Sequence, residues 1–579
     1  MRIALPPFIH DSARRLTPNR WDVIAFPLIL CTIALISTEY HQTMAPLSAL
    51  KAEPISLDPT RLPEYAMRTT LRMLAAMIAS IVFALSYGTL AAKSRRAEKV
   101  LVPMLDILQS VPVLGYISFT VTFFLALFPG RVLGAECAAV FAIFTSQAWN
   151  MAFSFYQSMR TVPHDLGEVS RSFHLTGWQK FWKLEVPFAL PGLIWNMMMS
   201  MSGGWFFVVA SEAITVGNNT VTLPGMGSYL AEAITHQNLS AIGWVIVSMT
   251  LVILAYDQLL FRPLVAWADK FRLEDTASQS APQSWLLDLV RRTRLLQQLL
   301  APVTALVLAV TRHPLRLERR SLALPFENKV TTNGVDWLWN ALVVAGTAYL
   351  MWRVISYASS TVTLAEVGHV LLLGLITLFR VLLLILLASV VWVPLGVMIG
   401  LRPKLAEKIQ PLAQFLAAFP ANLLFPIFVI GIVRFNANPD IWLSPLIVLG
   451  TQWYILFNVI AGTTAYPNDF REVAANFHIR GWQWWKKVML PGIFPYYVTG
   501  AITASGGAWN ASIVSEAVSW GKTHVDAHGL GAYIARTTAS GDFPHIILGI
   551  TVMSLFVVLF NRLLWRPMYA YAENRLRLH

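Results

Sequence analysis

Apolar runs of about 20 residues alternate with short polar segments along most of the chain, which is the length a helix needs to cross the hydrocarbon core. Their Leu, Val and Ala content is typical of helices and lacks the strict alternation of barrel strands. We therefore predict an all-α polytopic membrane protein with about 12 crossings. The runs with two defined ends cover about 22–39, 134–157, 191–216, 335–355, 367–400, 411–433, 442–463, 491–518 and 544–563. Three further spans have only one defined end: one ends before Lys93, one begins at about Leu101, and one ends near Arg262.

Composition supports the membrane class. The chain is 56% hydrophobic and only 13% charged, whereas soluble domains carry about 25% charged residues. The net charge of +13 does not favour nucleic-acid binding, because Lys and Arg gather in short segments between apolar runs, as at 93–96. This is the pattern of cytoplasmic loops, and it places both termini inside. The two cysteines, Cys31 and Cys137, lie in apolar runs and predict neither a disulfide framework nor a metal site.

A polar, Trp-rich segment occurs twice. EVSRSFHLTGWQKFWKLEVPFALPG begins at Glu168, and EVAANFHIRGWQWWKKVMLPGIFPY begins at Glu472, an offset of 472 − 168 = 304. The same offset links many later landmarks, and an offset of 308 links earlier ones such as Pro112 and Pro420. The chain is therefore a duplication of two six-helix halves with pseudo-twofold symmetry. We assign domains at 1–270 and 334–579.

Between the halves, 271–333 begins with a flexible, Ser- and Gln-containing stretch and becomes basic and amphipathic from Trp285 to Leu300. A crossing over 295–310 would put the two repeated segments on opposite sides of the membrane. We therefore predict a cytoplasmic linker whose helix lies on the membrane surface.

Two carboxylates, Glu212 and Glu516, stand at equivalent positions within predicted spans, each after a small-residue stretch and a Trp, Trp205 or Trp509. Buried carboxylates are costly, so these four residues are candidates for the substrate path or a gate. Because the carboxylates lie near the outer ends of their spans, we favour a structural or gating role over substrate contact. The matching arginines, Arg72 and Arg380, are interpreted as interfacial anchors in preference to anion attractors.

The repeated segment resembles the cytoplasmic coupling loop of binding-protein-dependent ABC importer permeases, whose pattern runs from Glu-Ala-Ala through a Gly to Leu-Pro. The Glu-to-Pro spacing is 19 in both copies (187 − 168 and 491 − 472). The added Gly-Trp is similar to the nitrate/sulfonate/taurine branch. The candidate ATPase-coupling residues are Glu168, His174, Gly177, Trp178 and Pro187, and Glu472, His478, Gly481, Trp482 and Pro491. The family's glycine is replaced by His174 and His478, a residue type that tolerates the left-handed conformation better than most.

This resemblance implies a type I importer permease in the bacterial inner membrane, with both halves of the usual dimer fused in one chain. It implies two separate ATPase subunits that carry ATP and Mg, and an extracytoplasmic binding protein that docks near 217–238 and 521–542. The chain itself has no P-loop, and we expect it to bind no cofactor or metal and to be no enzyme. The implied substrates are small anions such as nitrate, bicarbonate, a sulfonate or taurine.

Three other interpretations remain open. An ion-gradient-driven secondary transporter could also have two six-helix halves, but it predicts titratable residues at mid-membrane. An intramembrane enzyme would require a convergent nucleophile or metal cluster. The repeated segments, taken singly, could also be ordinary interfacial helices.

Overall fold

The computed structural model describes residue 46, residues 54–271 apart from 111, 217 and 218, residues 284–293, residues 301–311 apart from 303, 304 and 307, and residues 329–575 apart from 359, 360, 465 and 467. The predicted span over 22–39 lies outside these residues.

The described part of the first half is helical except for one β-hairpin. Its elements are α1 (Leu62–Lys93), α2 (Arg95–Ser110), α3 (Val113–Leu127), α4 (Val132–Arg160), α5 (His164–Ser172), α6 (Gly177–Lys180), α7 (Val186–Glu212), β1 (Ala213–Val216), β2 (Asn219–Thr222), α8 (Met226–Thr235), α9 (Leu239–Tyr256) and α10 (Arg262–Ala268). A linker helix, α11 (Trp285–Arg292), follows.

The second half follows a similar order, but three shorter helices over 439–464 stand where the first half has the single helix α4. Its elements are α12 (Lys329–Ala358), α13 (Leu364–Gly400), α14 (Pro403–Ala418), α15 (Phe425–Arg434), α16 (Pro439–Trp442), α17 (Ser444–Leu449), α18 (Trp453–Thr464), α19 (Asn468–Asn476), α20 (Gly481–Trp484), α21 (Leu490–Ser515), β3 (Ala517–Trp520), β4 (Thr523–Asp526), α22 (Leu530–Ser540), α23 (Phe543–Phe560) and α24 (Arg566–Arg575).

Within the described residues, five helical segments are long and apolar enough to cross a bilayer, and three bent pairs raise that number to eight. The helical, two-half architecture agrees with the prediction, while the count of 12 crossings stays a prediction. A proline breaks the third span of the first half: Pro112 is extended (φ −63°, ψ 121°) and separates α2 from α3. Its equivalent, Pro420, is extended (φ −71°, ψ 102°) between α14 and α15. Proline lacks the N–H that would continue a helix, so both breaks follow from the sequence.

Two predicted span ends are wrong. The spans predicted to reach 216 and 518 end at Glu212 and Ser515, and β1 and β3 follow almost at once. Each strand pairs antiparallel with the next, with Ala213 opposite Thr222 and Ala517 opposite Asp526. These four-residue strands continue an apolar run, so composition alone did not separate them from the helix.

In each half the third span, which is broken at a proline, packs into the core of the other half. Val113 and Ile117 of α3 are buried in the core of the second half, and Ala418 and Leu423 are buried in the core of the first. Two side-chain amides join the halves near the breaks. The Val113 N–H donates to Asn510 Oδ1 at 2.7 Å, and Asn422 Nδ2 donates to the Phe206 carbonyl at 3.3 Å. The interface is therefore a reciprocal exchange of equivalent elements.

Candidate functional site

Each repeated segment folds into a helix, a left-handed turn and a second helix that leads into the next span. In the first copy, α5 ends before His174 (φ 50°), and in the second, α19 ends before His478 (φ 53°). Both histidines thus occupy the left-handed region that their sequence position predicts. The second helix, α6 or α20, then continues through one π turn into α7 or α21. The two copies therefore share the same order of helix, left-handed turn and second helix.

The start of the second helix differs between the copies. Thr176 caps α6 in a reciprocal capping box with Gln179, which satisfies otherwise unpaired N–H groups at the helix start. The equivalent residue in the other copy, Arg480, makes no side-chain cap, and Gly481 adopts φ +58°. The second copy thus relies on the conformational freedom of glycine at this junction.

An apolar patch on each segment faces outward. Phe173 is 74% exposed and Phe477 75%, and Val169 and Val473, each one helical turn earlier, are both 49% exposed. Residues four apart share one face of a helix, so each Val and Phe forms a single surface, which we call the apolar patch of its copy. Neither patch was among the predicted site residues. Phe173 recurs as Phe477 (173 + 304) in the second copy, and this repeated apolar residue within a polar segment could have identified the patches.

The predicted coupling residues surround these patches. The Glu168 side chain is 62% exposed, with His164 Nδ1 at 3.4 Å and Arg171 Nη2 at 3.7 Å, and Glu472 is also exposed. Pro187 and Pro491 are the second residues of α7 and α21 and directly follow the two π turns. Their part in coupling stays a prediction.

The two tryptophans of the Gly-Trp pairs have different surroundings. Trp178 Nε1 donates to the Val310 carbonyl of the linker at 2.7 Å, whereas Trp482 is 74% exposed. In the described residues, the linker therefore contacts the first repeated segment through this bond.

A second duplicated feature lies at the far end of α7. Glu212 is completely buried and accepts three hydrogen bonds: from Thr69 Oγ1 at 2.7 Å, Arg72 Nη1 at 2.7 Å and the Gly227 N–H at 2.6 Å. Arg72 also makes a bidentate pair with Glu136, with both N···O distances 2.6 Å. The carboxylate thus joins α1, α7 and the start of α8.

The second half contains the equivalent cluster. Glu516 is 1% exposed and accepts from Thr377 Oγ1 at 3.0 Å, Arg380 Nη1 at 2.6 Å and the Gly531 N–H at 2.8 Å. Asp440 replaces Glu136 and lies 3.4 Å from Arg380 Nη2. Fully hydrogen-bonded buried charges fix the geometry of the elements that they join.

These clusters correct one interpretation. Arg72 and Arg380 are not interfacial anchors, because they are 4% and 8% exposed and their guanidinium groups pair with buried carboxylates. Gly225 and Gly529 stand against the same carboxylates, and a Cβ at either position would collide with the carboxyl group. The clusters are therefore closed structural junctions.

Between the halves lies a cavity of about 390 Å³. The first half contributes aromatic side chains, such as Trp195 and Phe206, together with amide and hydroxyl side chains, such as Asn150 and Ser200. The second half contributes mostly small or hydroxyl-bearing residues, including Thr499, Thr503, Gly506 and Gly507. None of the described lining residues is charged.

The predicted path or gate residues lie away from this cavity in the described structure. Trp205 and Trp509 are 0% and 1% exposed, and neither they nor the two buried glutamates line it. A gating role for these four residues stays a prediction. Among the described residues, His, Cys, Asp and Glu form no group of three that could hold a metal ion.

Comparison with known proteins gives two matches within one family. A profile described as "Binding-protein-dependent transport system inner membrane component" matches residues 66–262 and again 392–577. The two matched regions correspond to the two halves and together cover more than half of the chain.

Individual relatives are more distant. The nitrate import permease protein NrtB of Leptolyngbya laminosa is 27% identical over 178 residues, which are 31% of this chain and 60% of the relative. The bicarbonate transport system permease protein CmpB of Synechococcus elongatus is 28% identical over 175 residues, 30% of this chain and 60% of the relative. The glycine betaine/proline betaine transport system permease protein ProW of Escherichia coli is 30% identical over 163 residues, 28% and 44% of the two chains. The chain thus spans about 60% of the length of the nitrate and bicarbonate relatives that it matches.

Proposed function

Because the chain belongs to the family of binding-protein-dependent transport system inner membrane components, we propose that it is the complete membrane pathway of an ATP-driven importer. Both permease halves, with six crossings each, are joined in one polypeptide. It works with two separate ATPase subunits, which bind ATP and Mg²⁺, and with an extracytoplasmic binding protein. The chain lies in a bacterial inner membrane with both termini in the cytoplasm.

The observation that carries this proposal is the pair of apolar patches. An exposed Phe beside an exposed Val, at equivalent positions of both repeated segments, is a surface that a soluble partner can bury. Two equivalent surfaces fit a partner that is itself a symmetric dimer. An ATPase dimer that closes on ATP would draw both segments together, and each continuous helix from α6 to α7 and from α20 to α21 would carry that motion into the membrane.

At the end of the pathway opposite the apolar patches, the two β-hairpins form a gate between the halves. The Gly521 N–H, in the turn between β3 and β4, donates to the Ile234 carbonyl of α8 in the other half at 3.1 Å. A path that opens to the outside would require this bond between the halves to break. The flanking stretches, 217–238 and 521–542, are where the binding protein would dock.

The substrate class rests on relatives and resemblance. The names of two relatives state nitrate and bicarbonate, and the repeated segment resembles the branch that also handles sulfonates and taurine. We propose a small anion of this group. The ion-driven secondary transporter is the alternative, and it requires no partner at the apolar patches.

The test is retention of the ATPase. We expect the purified chain to retain an ATPase subunit in detergent, and uptake to stop when hydrolysis by that subunit is blocked. The double variant Phe173→Asp and Phe477→Asp should release the ATPase, because each patch would have to bury a charge. Phe435→Asp is the matched control: this side chain is 79% exposed at the end of α15, and its variant should retain the ATPase.

Retention of the ATPase by the patch variant contradicts docking at these surfaces. Uptake driven by a proton or sodium gradient, by this chain alone in liposomes, contradicts the proposal as a whole.

A further inference from the structure

The outer side of the first half has an open hollow of about 610 Å³ at the end of α8. Three apolar residues line it together with the last turns of α8: Ile55, Leu57 and Leu239, with Glu232, His236 and Gln237. We propose that this hollow binds a lysine or arginine side chain of the extracytoplasmic binding protein, and that the contact fixes the orientation in which that protein docks. The inference rests on the proposed function and specifies how its outer partner is recognised.

The charge of the hollow is the first argument. Glu232 is the one carboxylate among the described lining residues, and none of them is Lys or Arg. The Glu232 side chain is 35% exposed, and His236 Nε2 lies 3.0 Å from its Oε1. His236 is itself 63% exposed, so both groups are accessible to an incoming partner. A carboxylate in such a place favours a cationic side chain, with which it forms a charge-assisted hydrogen bond.

The apolar residues of the hollow suit the rest of such a side chain. Leu239 is 55% exposed, and Ile55 and Leu57 pack at the edge of the core of the first half. Lysine and arginine bury their methylene stems along apolar surface while the charged head stays at a polar group. The hollow therefore offers both parts of a basic side chain a matching surface.

The equivalent position of the second half carries the opposite charge. Glu232 corresponds to Arg536, which lies 304 residues later. The Arg536 side chain is 61% exposed, and its Nε lies 3.9 Å from Asp526 Oδ2. A partner that places a cation at Glu232 cannot be turned to bring that cation to Arg536, because two like charges would then meet. The contact thus selects one docking orientation.

The hollow also adjoins the contact between the halves. Gln237 Nε2 donates to the Trp520 carbonyl at 3.5 Å, beside the bond from the Gly521 N–H to the Ile234 carbonyl. Gln237 adopts φ 54°, whereas the equivalent residue of the second half is Gly541. A residue with a side chain is strained in this left-handed region, so Gln237 is present there at a cost in stability. A side chain that enters the hollow would contact Gln237 and so connect docking to the gate.

Two capped tripeptides serve as probes of the hollow. N-acetylated and amidated Gly-Arg-Gly and Gly-Glu-Gly would be titrated against the full chain in phosphatidylcholine nanodiscs by saturation-transfer-difference NMR, which detects weak ligands. We expect the Arg peptide to bind about fivefold more tightly than the Glu peptide, the effect of one partly exposed charge pair.

Matched variants locate the probe. Glu232→Gln keeps the shape of the side chain and should remove the preference for the Arg peptide. Glu64→Gln is the control and should keep it: Glu64 is 38% exposed, pairs with Arg61 and Arg68, and lies outside the lining of the hollow.

The second test uses the binding protein and the chain reconstituted with its ATPase in proteoliposomes. The binding protein should stimulate ATP hydrolysis, and the concentration that gives half of the maximal stimulation reports docking. Glu232→Arg should raise that concentration at least about tenfold, because it sets a cation against a cation. Among Lys→Glu and Arg→Glu variants of the binding protein, one should restore docking to the Glu232→Arg chain and dock poorly on the wild type. Glu64→Gln should leave the concentration unchanged.

The inference is overturned if the two peptides bind alike, if Glu232→Gln behaves as Glu64→Gln does, or if Glu232→Arg leaves the stimulation unchanged. A complex whose ATP hydrolysis responds to no binding protein overturns it as well. ATPase retention at the apolar patches is measured in detergent without the binding protein, so that part of the proposed function stands or fails separately.

Discussion

Replacing Glu212 with Ala tests the buried junction most directly. The carboxylate accepts hydrogen bonds from Thr69, Arg72 and Gly227 at 2.6–2.7 Å and has no exposed surface. Removing it leaves the Thr69 hydroxyl without its acceptor and the Gly227 N–H unpaired, and it deprives Arg72 of one of its two carboxylates. Breaking a buried ion pair on one side costs about 3–5 kcal/mol.

That cost converts into a measurable thermal shift. With an unfolding entropy of about 2.1 cal/mol/K per residue, 579 residues give about 1.2 kcal/mol/K, so the midpoint should fall by about 2.5–4 °C. Tryptophan fluorescence of the detergent-purified protein would follow unfolding. Glu516→Ala should behave alike. Glu232→Ala is the control, since its partner His236 is solvent-exposed and such a pair contributes little.

Double variants that replace both members of the buried ion pair test the prediction further. Apolar replacement of a whole buried ion pair is often nearly neutral, so Arg380→Met with Glu516→Leu should recover the part of the loss that comes from the unpaired Arg380, although Thr377 and the Gly531 N–H still lack the carboxylate. Asp440 would keep His528, whose N–H donates to it at 2.7 Å and whose Nδ1 lies 2.9 Å away.

The equivalent double variant of the first half should recover a smaller part of the lost thermal stability. Arg72→Met with Glu212→Leu removes the cation that pairs with Glu136, whose side chain is only 18% exposed. Midpoints within about 1 °C of the wild type for both single Glu variants, or equal recovery by the two double variants, would refute this reasoning.

Two further predictions concern left-handed positions. His174→Val together with His478→Val should lower the unfolding midpoint by roughly 2 °C, because β-branched residues are strained at positive φ, whereas Gly at both positions should not lower it; equal midpoints for the two pairs would contradict this. Gly521→Ala should speed amide hydrogen exchange in β3 and β4 about fivefold, because an Ala at φ +58° strains the turn and its Cβ would collide with the Gln237 side chain, and Gly243→Ala, at an open helical position, should leave that exchange unchanged.

Local patterns in the sequence predicted most of the helical frame. The run expected over 134–157 is part of α4, and the run over 367–400 is almost all of α13. Apolar run length and the position of proline fix such elements without reference to the rest of the chain. The hairpins were missed because four-residue strands gain their stability from a pairing that no local pattern reveals.

The buried junctions were missed for a related reason. Arg72 lies 140 residues from Glu212 in the chain, so its position near the start of a span suggested an anchor. The duplication nevertheless indicated that these residues pair with each other. Arg and Glu recur together, as Arg380 and Glu516, at the two offsets of the repeat, and a charged pair repeated within apolar runs is more economically explained by mutual pairing than by two separate roles.

Because both halves belong to one chain, equivalent positions can carry different residues, which two identical subunits cannot do. Two copies of one subunit place the same residue on both sides of a twofold axis, so each lining residue would face its own copy. Here the closed junctions keep their Arg and Glu in both halves, whereas the open cavity sets Trp195 at the position equivalent to Thr499. Symmetry is thus retained in the buried junctions and lost at these lining positions of the cavity.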